Sequence, residues 1–162
     1  MIPRRRPGDP PDPDTLDVRA VLLASEEREI PRAAVDLAAR MASRCGAPVH
    51  VFSIARVWGT SFGFPNPGLL PTKKEWDKQR EVVDKAVARL RRKGIDADGR
   101  VIGTRAAAKR IVREAKRLGC DAIVMGADPP RNRIVADFSW AQEPYRVSRR
   151  AGDDLPVYLV VD

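Results

Sequence analysis

Cys120-Asp121-Ala122-Ile123-Val124-Met125-Gly126 is the stretch on which the fold turns. Four apolar residues stand together between an acid and a glycine. A run this short, bounded by breakers, reads as a strand buried on both faces. The same signature recurs along the chain. Ala20 to Ala24 is a first strand, Pro48 to Ile54 a second, and Gly99 to Gly103 a short third. Asp121 to Met125 is the fourth, and Leu155 to Val161 the fifth.

Helical spacing fills the intervals. Pro31 suits the first turn of a helix whose apolar stripe is Ala34, Leu37, Ala38 and Met41, and Gly46 ends it. Thr72-Lys73-Lys74-Glu75 is a capping box, in which hydroxyl and carboxylate each satisfy a free backbone N–H. Trp76, Val83, Ala86, Val87 and Leu90 follow as the buried stripe. Arg91, Arg92 and Lys93 suit the negative end of the helix dipole, and Gly94 stops the helix. Thr104 is placed to cap a third helix with stripe Ala108, Ile111, Val112, Ala115 and Leu118, closed by Gly119. A fourth helix is expected near Trp140–Ala151, with Pro144 in its first turn. Strand-helix alternation with apolar strands means an α/β fold: a five-stranded, doubly wound parallel sheet with about four helices on both faces. Periodicity leaves the strand order open. Sites in such sheets lie beyond the carboxyl ends of the strands, at a topological switch point.

The chain has 162 residues, enough for one domain with a tail. Residues 1–17 hold five prolines and seven charges with almost no apolar pattern. They are expected to be a disordered tail ahead of a domain over 18–162. No apolar run approaches the roughly 18 residues of a membrane span, so no membrane partner is expected. The basic start is not followed by an apolar stretch, which argues against a secretory leader and for a cytoplasmic location. Cys45, Cys120 and His50 are too few for a disulfide framework or a four-ligand zinc site, so no metal is expected. The net charge is +8. Such a chain attracts phosphate in some form, or simply carries a solvated basic surface.

Several site classes fail. The turn after the first strand, Ser25-Glu26-Glu27-Arg28, has no glycine for a dinucleotide fingerprint, and no Walker-type loop is present. A phosphoacceptor would need an aspartate after the third strand, where Gly103-Thr104 stands. His50 lies inside a strand, so no Ser/His/Asp triad forms, and no catalytic residue is assigned. The loop after the fourth strand is the best candidate. Gly126 stands at a strand end, followed by Asp128, Arg131, Asn132 and Arg133. Arginine forks and free backbone N–H groups bind phosphate well, though the same residues also make an ordinary solvated loop. Glu26 can accept hydrogen bonds from a ribose or stand as a surface carboxylate. Residues 57–71, rich in proline and glycine, are long for a loop inside a domain, and such loops are often functional.

Over about residues 18–161 the chain resembles the universal stress proteins. Val21 to Glu26 sits where that family has an apolar strand ending in aspartate. Cys120 to Gly126 is similar to its fourth strand and first motif glycine, and Pro156 to Val161 to its last strand. The resemblance implies a Rossmann-like sheet of order 3-2-1-4-5 and a homodimer joined through the fifth strand. It also implies ATP binding, with magnesium, through G-x2-G-x9-G-[ST]. Here only Gly126 keeps its place. Pro129 occupies the second position. Ser139 and Trp140 fall on the third, or Ala141 and Gln142 when the following helix sets the count. On this reading Glu26 and the main chain of Ile54 take the nucleoside, Gly126, Asp128, Arg131, Asn132 and Ser139 surround the phosphates, and Ser25 is a further nucleotide-binding residue. The expected function is a regulatory adenine-nucleotide module, with weak hydrolysis at most. The alternative is a dimeric interaction protein of the same fold that binds no ATP and acts through protein partners. Nucleic acid ranks last, because the basic helices carry no interleaved aromatic residues apart from Trp76, which fits the apolar stripe.

Overall fold

A computed structural model describes residues 9–56, 60–61, 64–65, 72–127 and 143–161. The elements are β1 (Val21–Glu26), α1 (Arg32–Cys45), β2 (Val49–Arg56), a small hairpin β3 (Thr60–Ser61) and β4 (Phe64–Pro65), α2 (Lys73–Arg92), β5 (Ala97–Thr104), α3 (Ala107–Arg117), β6 (Ala122–Ala127), α4 (Glu143–Ala151) and β7 (Val157–Val161). The main sheet has five strands in the order β5-β2-β1-β6-β7, every neighbouring pair parallel. Numbered along the chain within that sheet, this is 3-2-1-4-5. β1 is central, with Leu23 beside Val51 of β2 and Val124 of β6.

Each face of the sheet has its own core. Val21, Leu23, Val49, Val51 and Val124 meet Ala34, Ala38 and Met41 of α1 and Val83, Ala86 and Leu90 of α2. Leu22, Phe52, Ile54, Ile123 and Met125 meet Ile111 and Ala115 of α3 and Val147 of α4. A strand with helices on both sides has no wet face, which is why β1 is buried at all six positions.

Local signals act as their chemistry dictates. Thr72 and Glu75 close a reciprocal capping box. Gly46 ends α1 in the left-handed conformation, φ 64°, which costs a residue without Cβ little. Two local readings are corrected. Thr104 is the last residue of β5 and does not cap α3; Ala106 is the N-cap, and Thr104 Oγ1 instead accepts the Ala106 N–H at 3.2 Å. Ala107, which the expected stripe omits, is fully buried in α3, and Ala108 is partly buried against the same core. β5 is also longer than its apolar run, because it is an edge strand whose polar residues Asp98 and Arg100 still pair with β2.

Two sets of buried polar groups have clear partners. Ser53 Oγ on β2 donates to Gln79 Oε1 on α2 at 2.7 Å, both buried. The Glu114 carboxylate of α3 is buried and accepts from Arg117 and from Arg100 of β5. At the opposite end of β2, His50 Nδ1 lies 2.7 Å from Asp98 Oδ1. Burial pushes the Cys120 thiol up to about 12, with Asp121, Asp98 and Glu114 adding to the effect. Cys45 is only partly buried. Residues 9–17 touch the domain at several points: Tyr158 Oη donates to the Pro11 carbonyl at 2.7 Å, and Arg40 pairs with Asp14. Among the described residues, no helix is long and apolar enough to cross a membrane.

Candidate functional site

The chain leaves β1 for α1 and β2 on one side, while β6 lies on the other. The strands on either side of this gap send their connections in opposite directions, so a crevice opens at their carboxyl ends. The crevice between β1 and β6 is lined by Ser25, Glu26, Arg28, Pro31, Met125 and Gly126, among others. Its volume is about 10 Å³, room for roughly one water.

The sheet register brings four of the expected residues together. Glu26 ends β1 directly beside Ile54 of β2. Ala24 pairs with Met125, so Gly126 stands one step beyond, at the level where β1 reaches Ser25 and Glu26. Glu26 is 9% exposed, a carboxylate largely withdrawn from water at the end of the strand. Ser25 shapes the backbone here, since its hydroxyl donates to the Arg28 carbonyl at 2.7 Å and closes the turn into α1. Ile54 is fully buried. Its carbonyl already accepts the Glu27 N–H at 3.2 Å, leaving one lone pair. Asp128, Arg131, Asn132 and Ser139 lie outside the described residues, as do Pro129, Arg133 and most of the loop 57–71.

The crevice holds charges of both signs, with Glu26 and Glu29 lining it beside Arg28. α1 starts at its rim with Pro31 as N-cap, no side-chain cap and no acid in its first turn. Its positive dipole end faces the crevice, where Glu26 and Glu29 stand near it. Gly126 is needed here for packing: a Cβ on it would stand 2.6 Å from Pro31 Cδ.

Sequence reasoning passed over two features of this rim. Arg28 lines the crevice from the β1–α1 turn. A cation directly after a strand end was the available signal. Glu27 adopts φ 51°, the one left-handed non-glycine residue among those described. Such a conformation holds only where the surroundings enforce it, here through the hydrogen bond to Ile54. No cluster of three His, Cys, Asp or Glu suited to a metal occurs among the described residues.

A five-stranded doubly wound parallel sheet with a crevice at its switch point defines the class: an α/β protein of Rossmann-like architecture. The model of the universal stress protein family matches residues 18–134, and the chain belongs to that family. Solved structures agree in fold. A universal stress family protein from Burkholderia pseudomallei is 23% identical, with 88% of this chain and 95% of that one covered at a TM-score of 0.60. The universal stress protein from Archaeoglobus fulgidus in complex with dAMP is 19% identical, covering 86% and 94% at 0.62. A universal stress protein in complex with cAMP is 16% identical, covering 89% and 98% at 0.63. Two of these relatives thus hold adenine nucleotides. No curated protein matches the chain.

Proposed function

We propose that the chain is a regulatory protein that binds ATP, with magnesium, over the carboxyl ends of β1, β2 and β6, and that it works in the cytoplasm as a homodimer joined through β7. Glu26 accepts the ribose hydroxyls, one methylene longer than the aspartate that the family resemblance implies. The main chain of Ile54 meets the adenine. Gly126 and the dipole of α1 face the phosphates, with Asp128, Arg131, Asn132 and Ser139 supplying contacts from the following loop. Asp128 and the phosphate oxygens are the hard oxygen ligands that magnesium prefers. No side chain at the crevice is assigned as a general base, so the protein signals by binding and is not an enzyme.

One observation carries this reading. The register that sets Glu26 beside Ile54 and Gly126 beyond Met125 gathers these three residues at one switch point, which supports the reading. The dAMP and cAMP complexes of its relatives support an adenine nucleotide as the ligand. Calorimetry with ATP, with and without magnesium, tests the proposal, together with an assay for nucleotide released from denatured protein. Micromolar binding or co-purified nucleotide supports it. The absence of both leaves the second reading, an interaction protein that binds no ATP. Pro129 favours that reading, since it lacks an N–H where the motif has glycine.

A further inference from the structure

A basic feature lies away from the crevice. An open groove of about 520 Å³ separates α3 from α4. Arg105 and Lys109 line one wall, Arg146, Arg149 and Arg150 the other, and Ala106 and Ala108 line it between them. None of the lining residues is acidic. The exposed side of α3 continues the same charge through Arg113, because Glu114, its only acid, is buried beneath Arg100 and Arg117. On the other face of the sheet Arg89 and Lys93 both meet Asp36, Lys85 meets Glu81 and Arg40 meets Asp14.

We infer that this groove binds a linear phosphate chain without bases, of the inorganic polyphosphate type. Three features select that chemistry. Four of the five cations are arginine, whose planar fork suits phosphate oxygens. The cations stand on both walls, so an extended chain within the groove is neutralised from two sides. Finally, the lining offers alanines and no aromatic ring, so the bases of a single strand would find nothing to stack on. The groove is separate from the nucleotide crevice, with which it shares no lining residue.

The test is fluorescence anisotropy of labelled inorganic polyphosphate against the full chain over a range of salt concentrations. The unaltered protein should bind, with affinity falling steeply as salt rises. Arg105→Glu with Arg149→Glu should weaken binding by about tenfold or more and lower the salt slope by about 2, one for each lost phosphate contact. Lys78→Glu with Arg92→Glu, the same charge change on α2, should leave binding as it was. Arg105→Gln with Arg149→Gln should give a smaller loss in the same direction, with circular dichroism establishing that each variant is folded. ATP calorimetry on the same variants should show the nucleotide affinity of the unaltered chain, whatever that is. The proposal is overturned by any of four results: no binding by the unaltered chain, equal losses from the two charge reversals, tighter binding of oligothymidylate of equal phosphate number, or loss of ATP binding together with polyphosphate.

Discussion

Gly126 lies directly beneath Pro31: a methyl group on the glycine would come within 2.6 Å of the proline Cδ and 2.7 Å of its Cγ. The first residue of a ligand motif is thus also a packing residue, with no Cβ because α1 starts against β6. Gly126→Ala should destabilise the fold by about 1–3 kcal/mol through overpacking against a rigid ring. In a Pro31→Ala background the same change should cost much less. Urea denaturation of the four-member cycle measures the coupling. Equal costs in both backgrounds would remove Pro31 as the reason for the glycine.

The nucleotide reading makes a graded prediction. Arg131→Ala should weaken ATP binding by about tenfold, the scale of one charge-assisted contact. Glu26→Ala should lower affinity by a similar factor, while Glu26→Asp should retain binding because it keeps the acceptor and removes one methylene. Calorimetry reads all three. Unchanged affinity in Arg131→Ala would take that arginine out of the site.

Glu114 ties stability to pH. The Arg117 hydrogen bond holds its carboxyl below the ordinary value of 4.5; burial opposes this, and the charges of Arg117, Arg100 and Arg110 assist. A carboxyl depressed in the folded state stabilises fully above its unfolded value. That contribution disappears as pH falls through the folded one. Glu114→Gln should therefore be less stable by about 1–3 kcal/mol near neutral pH, with the gap closing in acid. Chemical denaturation at a series of pH values from neutral downward checks this. A gap that stayed constant would mean that packing, not charge, sets the effect.

Ser53 and Gln79 make a smaller case of the same logic. Gln79→Leu leaves the Ser53 hydroxyl facing an apolar side chain and should cost about 1–3 kcal/mol. Removing the hydroxyl as well, in Ser53→Ala with Gln79→Leu, should recover much of that loss. Denaturation midpoints decide, and a double variant no better than the single would point to lost packing around Gln79.

The fold was legible wherever the signal was local. Apolar runs gave the strands, the Thr72–Glu75 box and Gly46 gave helix ends, and the family resemblance supplied the order that periodicity cannot. Long-range pairings stayed hidden. In the sequence Glu114 is one acid on a basic helix, and its pairing with Arg100, a residue of another element, shows only in the fold. Gly126 was readable as a motif glycine, but not as the floor under Pro31, which is 95 positions away in the chain. The candidate site was legible by half for the same reason. Residues at strand ends, Glu26 and Gly126, could be placed from the pattern. The turn conformation of Glu27 and the engaged hydroxyl of Ser25 arise only when β1, β2 and α1 meet.

The contrast between the two thiols has a practical consequence for watching the molecule move. A thiol raised to about 12 has almost no thiolate at neutral pH, and Cys120 is also shut away behind α3 and β6. Alkylating reagents should therefore modify Cys45 first in the native protein and reach Cys120 only when that layer opens. With Cys45 replaced by serine, the rate at which label accumulates on Cys120 becomes a clock for spontaneous opening of the α3 layer, and adding a ligand to either side of the sheet would show whether it slows that clock.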